Sequence, residues 1–465
     1  MQFRLKTDKR SDGRIVYNKV TAYYILGYIP ISKKYGLEKI RDSLDELLKM
    51  HPILSMHLTE KYEVNDKEVS NFDVLGDLIN TVKEFKLKGT INLINKYGIR
   101  NVKGLYKMLM TVIRLFKGEF PYLVMGDKPS ISFESKLNKD ILIDFFSESF
   151  DLYNYLSKFM IVESDKSYYL FYMIHHIIFD ATSAGVLMHD FLTLLDGGSI
   201  DFDDTFLKSL AFKHQIKSTE KFDEANEFYK PVLSDISDVG VLLEDNPSYG
   251  GYNMSSYDLK FDKIAFKSFL KSAEISENVL FTSVFSYALS QFVNGDKVIF
   301  TIIENGRDRF KENFIGMTSN VMPMVIDCKN QSINSFMGHV ADTVYRALRH
   351  SYYPILLLYQ KYDFEVNVLF QFVPNWIADD FADGIGDIEG IESEEIMNYI
   401  FNNFSDYITE FFVQVYQNGD DYRLFITHSN KYSDKMVEDF KNVYISILSN
   451  IINADASSYL SDILN

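Results

Sequence analysis

Strand-like and helix-like segments alternate along this chain, and their order constrains the fold more than any other feature of the sequence. Residues 18–28 are rich in β-branched and aromatic side chains, and residues 36–54 place leucine and isoleucine on one face of a helix. Residues 166–179, KSYYLFYMIHHIIF, have the long apolar run of a buried strand, and a helix is predicted after them at about 183–195. This order predicts an α/β fold.

The second half of the chain also contains segments typical of helices and of strands. A buried helix is predicted at 276–295, and it runs directly into a strand. A further strand is predicted at 366–373 and a closing helix near 432–450. Between these two, Asn418-Gly419 joins two alternating runs, which predicts a β-hairpin.

Composition and charge limit the class of protein. With 465 residues, 46% of them hydrophobic, the chain can form two or three domains or one large two-lobed unit. The net charge of −17 argues against nucleic acid as a partner, since nucleic acid is bound by a basic face. Cys328 is the only cysteine, and neither a secretory signal nor an apolar run of ~18 residues is visible. We expect a soluble cytoplasmic protein with no disulfide and no membrane span.

Two regions are less well defined. Residues 64–135 contain a helical stretch at 104–118 with lysine and arginine on its polar face. This stretch is either a solvated helix packed on its lobe or a docking surface for an acidic partner, and the sequence leaves both interpretations open. Residues 196–206 combine glycines with acidic residues and are predicted to be a linker or a lobe boundary.

The segment HHIIFDATS, residues 175–183, is the pattern that indicates chemistry. Adjacent side chains on a strand point to opposite faces, so His175 and His176 cannot both face one site. One should enter the packed body and the other an open channel, which argues against a shared metal ion. On the motif alone, His176 is either a structural histidine or a catalytic one. Asp180 either caps the next helix or, if buried with a cation, supports the loop that orients the histidine.

The same segment resembles the HHxxxD core of the condensation domains of nonribosomal peptide synthetases, which belong to the chloramphenicol-acetyltransferase-like superfamily. Four further segments resemble this family in the expected order. They are residues 37–58, with His51 in an HPIL segment, residues 150–180, residues 298–327, with Arg307, Gly316, Asn320 and Pro323, and residues 366–375.

The resemblance implies two lobes, each like one chloramphenicol acetyltransferase subunit, in a V-shaped pseudo-dimer with a central tunnel. The N-terminal lobe would comprise residues 1–195, with part of 64–135 as an insertion, and the C-terminal lobe residues 207–465. His176 would be the active histidine at the centre of the tunnel. The other implied site residues are the supporting His175, the salt-bridged Asp180 and Arg307, and the substrate-channel residues Ala181, Ser183 and Asn320.

The implied function is the condensation of an acyl or peptidyl thioester with an aminoacyl acceptor, which forms a peptide bond. Both substrates would be delivered on the phosphopantetheine of carrier proteins, and no cofactor would be bound permanently. The expected partners are donor and acceptor carrier proteins and an adjacent adenylation domain, and the expected state is a monomer. We expect neutral His176 to accept a proton from the attacking amine.

The sequence also departs from the family pattern. The usual opening pattern is not recognisable, and Ala181 replaces a glycine, where its β-carbon could crowd the channel or narrow the choice of substrate. The alternatives are a stand-alone acyltransferase that uses coenzyme A and a catalytically silent docking module, which often lacks the second histidine. An epimerisation domain usually has tryptophan where this chain has Ala184.

Overall fold

The computed structural model of the protein describes residues 7–9, 15–17, 24–59, 122–147, 154–209, 219–234, 236, 239–240, 242–246, 251–307, 313–362, 366–375, 388–391, 396 and 409–464. The chain divides into two compact units. The main unit comprises Met1–Ile53, Ile131–Ser149 and Lys158–Asn465, and the small unit comprises Leu54–Ser130 and Phe150–Ser157. The helical stretch predicted at 104–118 lies outside the described residues.

The elements predicted from the sequence occur in the predicted order, together with others that were not predicted. The strand predicted at 18–28 lies partly outside the described residues, and the described strand begins at Tyr24. The strands are β1 (Thr7–Lys9), β2 (Ile15–Tyr17), β3 (Tyr24–Ser32), β4 (Met56–Thr59), β5 (Tyr122–Met125), β6 (Ser130–Glu134), β7 (Ser157–Glu163), β8 (Ser167–His175), β9 (Val239–Gly240), β10 (Tyr252–Leu259), β11 (Lys297–Glu304), β12 (Asn320–Asp327), β13 (Val368–Val373), β14 (Phe411–Asn418) and β15 (Asp421–Ser429). The helices are α1 (Leu37–Met50), α2 (Lys139–Ser147), α3 (Ala181–Leu195), α4 (Glu220–Leu233), α5 (Lys263–Ala273), α6 (Glu277–Ser290), α7 (Ile333–Arg349), α8 (Ile355–Tyr362) and α9 (Asp434–Asn453). None of the described helices is long and apolar enough to cross a membrane. The predicted α/β class is confirmed.

A four-stranded sheet carries the strand that leads to the histidine pair. Its order is β3-β8-β7-β6, and β3 and β8 are antiparallel over their whole length. β8 is buried over most of its length, as its apolar run requires. The helices α1 and α3 pack against each other. In the small unit, β4 and β5 form an antiparallel pair.

A seven-stranded sheet organises the second half of the chain. Its order is β10-β15-β14-β13-β11-β12, and β9 pairs with the start of β11. The strands β11, β13 and β14 are parallel, whereas β14 and β15 form an antiparallel hairpin whose turn holds Gly419 at φ +60°. This positive φ favours glycine, and the hairpin predicted at Asn418-Gly419 is confirmed.

The helix α6 is the centre of the core beneath this sheet. All eleven residues from Val279 to Leu289 are buried. Phe285 stacks on Phe370 of β13 with the ring centroids 4.6 Å apart, and α7 and α9 pack on the same helix. The buried helix predicted at 276–295 is therefore confirmed, although it ends at Ser290.

One predicted strand ends earlier than the sequence indicates. The strand predicted at 166–179 stops at His175, and Ile178 N donates to His175 O at 3.1 Å in a tight turn. The prediction was wrong about the end of the strand. Ile178 and Phe179 are apolar because they are buried, but they are buried after the turn and not in the strand. The turn allows α3 to begin at Ala181.

The segment predicted as a linker, residues 196–206, is packed at its C-terminal end. Asp203 and Phe206 are buried, and Asp203 N donates to Met50 O at 2.8 Å. This end of the segment is therefore part of the main unit rather than a free linker. The predicted lobe bounds and the tunnel stay predictions.

Candidate active site

The two motif histidines lie where β8 becomes a turn. His175 is the last residue of the strand and is almost fully buried, whereas His176 is the first residue of the turn and is only partly buried. The two side chains occupy different environments, as strand alternation predicted. The turn contributes to this difference, because His176 is no longer part of the strand.

Hydrogen bonding fixes the proton of His176 on one nitrogen. Its Nδ1 lies 2.7 Å from the carbonyl oxygen of Phe179. A carbonyl oxygen can only accept, so Nδ1 carries the proton and the basic lone pair of the neutral ring is on Nε2. Burial lowers the pKa of His176, and the charge of the Asp180 carboxylate only partly offsets this effect. His176 is therefore neutral near pH 7, with Nε2 able to accept a proton.

His175 holds the turn from inside the protein. Its Nδ1 accepts a hydrogen bond from Ile177 N at 3.0 Å, and the ring of Tyr24 meets the imidazole edge-on at a centroid distance of 5.1 Å. Burial, together with the neighbouring His176, lowers the pKa of His175 to about 3. The ring stays neutral, which it must do to keep Nδ1 as an acceptor.

Asp180 makes both kinds of contact that the sequence left open. As the N-cap of α3, its Oδ1 accepts from Ser183 N at 3.0 Å and from Ser183 Oγ at 2.7 Å. The same oxygen accepts from Arg307 Nη2 at 2.5 Å, and Oδ2 accepts from Thr318 N at 3.3 Å. Both side chains of the ion pair are 3% exposed. This buried carboxylate thus has both the cation and the donors that it needs.

Arg307 joins the start of α3 to the segment before β12. Its guanidinium donates to Phe314 O at 2.7 Å, to Gly316 O at 3.1 Å and to Ser183 Oγ at 3.0 Å. Its Cζ also lies 4.3 Å from the centroid of the Phe314 ring. These contacts fix Arg307 on several sides, so it can hold the beginning of α3 in place.

The three residues predicted to line the substrate channel have different environments. Ser183 is fully buried, and its Oγ accepts from Gly316 N at 3.0 Å. Asn320 Nδ2 donates to Tyr353 O at 2.7 Å. Ala181 is the first residue of α3 and is partly buried. The polar groups of Ser183 and Asn320 are thus engaged within the protein.

A second polar cluster is formed by the buried His51 and Asp203 and the partly buried Asp190, and it was not predicted from the sequence. His51 Nε2 lies 2.9 Å from Asp190 Oδ2, and His51 Nδ1 lies 3.4 Å from Asp203 Oδ2. The available signal was a histidine at the C-terminal end of an amphipathic helix, where a cation is favoured. Asp190 and Asp203 gave no signal, because one is a helix residue and the other lies in the predicted linker.

The arrangement is suited to proton transfer at His176 Nε2. The Asp180 carboxylate is paired with Arg307 and is buried. Among the described residues, no group of three or more histidine, cysteine, aspartate or glutamate side chains is placed to bind a metal ion. A neutral imidazole whose Nδ1 donates to a carbonyl is suited to removing a proton from a nucleophile.

The sequence of this chain is similar to that of known proteins. A family model described as Condensation domain matches residues 130–463. Gramicidin S synthase 2 of Brevibacillus brevis and that of Aneurinibacillus migulanus are each 21% identical to the chain over 218 residues, or 44% of this chain and 5% of the relative. The chain therefore corresponds to a small part of these curated relatives.

Solved structures share the fold. The X-domain from teicoplanin biosynthesis, which was also solved in a complex with OxyB, superposes with a TM-score of 0.66 at 12% identity. The match covers 96% of this chain and 93% of the X-domain chain. The epimerization domain from the third module of tyrocidine synthetase B has a TM-score of 0.64 at 12% identity, with coverage of 96% and 94%. Because the family model matches most of its length, the chain belongs to the condensation-domain family.

Proposed function

We propose that this domain condenses a carrier-bound acyl or peptidyl thioester with a carrier-bound aminoacyl group and that His176 is the base. The observation that carries the proposal is the 2.7 Å hydrogen bond between His176 Nδ1 and the Phe179 carbonyl oxygen. This bond selects the tautomer whose Nε2 accepts a proton. Burial lowers the pKa of the imidazole and so keeps it in the neutral form that a base requires.

The proposed step balances without a further reactant. The amine nitrogen attacks the thioester carbon, a C–N bond forms and the C–S bond breaks. His176 Nε2 takes the proton that the amine loses and passes it to the departing thiolate. Because an α-amino group titrates at about 7.7–8.0, a neutral fraction already exists near pH 7, and the base acts mainly as the bond forms.

The surrounding residues are assigned positioning roles. The contact of His175 with Ile177 N holds the turn, and the ion pair between Asp180 and Arg307 holds the start of α3. We propose a structural role for Ser183 and Asn320 also, in place of the channel role predicted from the sequence, since their polar groups bond within the protein. Ala181 remains a proposed channel residue.

The partners follow from the same proposal. Donor and acceptor carrier proteins would present the substrates on phosphopantetheine, and an adenylation domain would lie next to this one in a cytoplasmic synthetase. The likeness to a small part of gramicidin S synthase 2 supports this context. No cofactor of its own is proposed for the domain, and we propose that it acts as a monomer.

The test is an intact-mass assay of the domain with loaded donor and acceptor carrier proteins. The wild type should add the mass of the acyl group to the acceptor carrier, and His176→Ala should lower the rate about 10²–10⁴-fold, as removal of a general base does. The control is His189→Ala, which removes a histidine on α3 that is 78% exposed. Turnover like that of the wild type in His176→Ala would overturn the assignment.

A docking module without turnover is the second candidate. The X-domain, whose fold this chain shares, was solved in a complex with OxyB, so a member of this fold can serve as a binding partner. The same assay separates the two functions. Binding of loaded carriers with no product over a broad panel of substrates would favour docking.

A further inference from the structure

His51 lies in a buried cluster that the proposed chemistry does not use. Its imidazole stands between two carboxylates, with Nε2 2.9 Å from Asp190 Oδ2 and Nδ1 3.4 Å from Asp203 Oδ2. His51 is 2% exposed. The contact with Asp190 is a hydrogen bond, whereas the contact with Asp203 has the distance of an ion pair and no hydrogen bond. Only a protonated ring therefore attracts both carboxylates by its charge.

The groups that face His51 favour the protonated form. Asp190 faces it from α3, Asp203 from the segment after α3, and the last carbonyl groups of α1 also favour a cation. His189, which is exposed, pairs with the other oxygen of Asp190 at 3.0 Å. Burial opposes protonation of His51, but its hydrogen bond to Asp190 and the charges of the two carboxylates raise its pKa. Burial likewise raises the pKa of Asp203, but the nearby His51 and the hydrogen bonds from Thr205 N and Ile315 N lower it to about 2.

Asp203 connects this cluster to the active site. Its Oδ2 accepts a hydrogen bond from Ile315 N at 3.2 Å. The next residue, Gly316, donates from its N to Ser183 Oγ at 3.0 Å and accepts at its carbonyl from Arg307 Nη2 at 3.1 Å. Both of these partners also bond the carboxylate that caps α3. A continuous chain of contacts therefore runs from the His51 imidazole to the helix start beside His176.

Packing holds the same segment from a second direction. The ring of Phe206 covers Gly316, where a β-carbon would lie 2.4 Å from a ring atom. Phe206 follows Asp203 by three residues, so one short stretch of chain holds the Ile315–Gly316 backbone by a carboxylate and by an aromatic ring. This backbone therefore has little freedom to move as long as Asp203 stays in place.

We propose that His51 and Asp203 are positioning residues for the reaction at His176. The protonated imidazole holds Asp203, and Asp203 holds the Ile315–Gly316 backbone against the Asp180–Arg307 ion pair. If His51 loses its proton, the two carboxylates lose the positive charge between them and face each other across a neutral ring. The effect on turnover rests on the proposed function.

The direction of the pH dependence follows from the shift at His51. Because folding raises the pKa of His51 above about 6.5, its contribution is complete below pH 6.5 and is lost as the pH rises through the folded-state value. His176 acts in the opposite direction, since turnover rises as it loses its proton. We expect kcat to have an acid limb from His176 and an alkaline limb from His51.

The experiment measures kcat and KM against pH for the wild type, His51→Gln and Asp203→Asn. The control is His339→Gln in α7, whose side chain contacts Asp327 N, outside the cluster. The first two variants should lower kcat by up to about 100-fold with little change in KM, because they displace the catalytic group rather than remove a substrate contact. His51→Gln should also lack the alkaline limb, and His339→Gln should keep the wild-type profile. An alkaline limb that persists in His51→Gln would overturn the proposal.

A second measurement separates this inference from the proposed function, because it needs no substrate. A double-mutant cycle on the melting temperature combines Asp203→Asn with Ser183→Ala, at the two ends of the chain of contacts. If the two positions are coupled, the melting temperature of the double variant should fall by less than the sum of the falls in the two single variants. Non-additive shifts of the melting temperature in a protein without turnover would support the inferred connection. They would at the same time refute the proposed function. Additive shifts would refute the connection.

If the variants fail to fold, the pH dependence of the wild type alone tests the proposal. Its kcat, or its melting temperature where no turnover is found, must fall as the pH rises through the folded-state pKa of His51. A profile that stays flat over that range would refute the role of the His51 proton.

Discussion

Loss of the guanidinium of Arg307 should destabilise the protein more than most single changes, because it leaves Asp180 buried without its cation. Arg307→Met keeps an unbranched side chain but removes the charge and every hydrogen-bond donor. Asp180→Asn is the complementary change, which keeps the shape of the cap and removes the negative charge. Each single variant leaves one charged group in a place where both side chains are 3% exposed.

The contacts of Arg307 set the size of the effect. The guanidinium donates to one carboxylate oxygen and to three neutral oxygens, those of Ser183, Phe314 and Gly316. Each of these hydrogen bonds has a charged donor, and charge-assisted hydrogen bonds are the stronger ones in proteins. Breaking one partner of a buried ion pair typically costs about 3–5 kcal/mol, and we expect Arg307→Met to lower the free energy of unfolding by that amount.

Urea unfolding followed by circular dichroism measures this loss. The double variant, Asp180→Asn with Arg307→Met, has no uncompensated charge, so it should be destabilised by clearly less than the sum of the two single variants. The reasoning would be refuted by a loss below about 1 kcal/mol in Arg307→Met, which is the size typical of an exposed ion pair. Additive losses in the double variant would also refute it.

Two further predictions concern the same region. Because burial lowers the pKa of His176, the acid inflection of kcat should lie below the ordinary histidine value of about 6.5, and an inflection above that value in a pH–rate profile would contradict the assignment. Gly316→Ala should lower the free energy of unfolding by about 1–3 kcal/mol, because its β-carbon would overlap the ring of Phe206. The control Gly338→Ala, in α7 with no atom within 4 Å of its β-carbon, should raise it by about 0.5–1 kcal/mol. Equal shifts of the two melting curves would contradict the packing argument.

The elements around the active site could be predicted because their signals are local. The apolar run of β8, the Ser276 cap of α6 and the Asn418-Gly419 turn each depend on neighbouring residues only. The end of β8 could not be read in this way. Ile178 and Phe179 continue the apolar run, and only the hydrogen bond from Ile178 N to His175 O shows that the chain has turned.

The His51 cluster could not be predicted because its members are far apart in sequence. Asp203 lies in a stretch of glycines and acidic residues, a composition typical of an exposed linker. Its burial depends on an imidazole from another helix and on the amide of Ile315, and neither leaves a trace in the residues around it. Polar side chains become buried when partners from other parts of the chain satisfy them.

The sequence separation between Asp180 and Arg307 has a consequence for biosynthesis. The two residues are 127 positions apart, so at about 5–20 residues per second a ribosome needs roughly 6–25 s to add the arginine after the aspartate. During that interval Asp180 can cap α3 but cannot yet have its ion-pair partner. The candidate active site therefore has its ion pair only after Arg307 has been added. A nascent chain that stops before Arg307 carries the histidine motif without the Asp180–Arg307 contact.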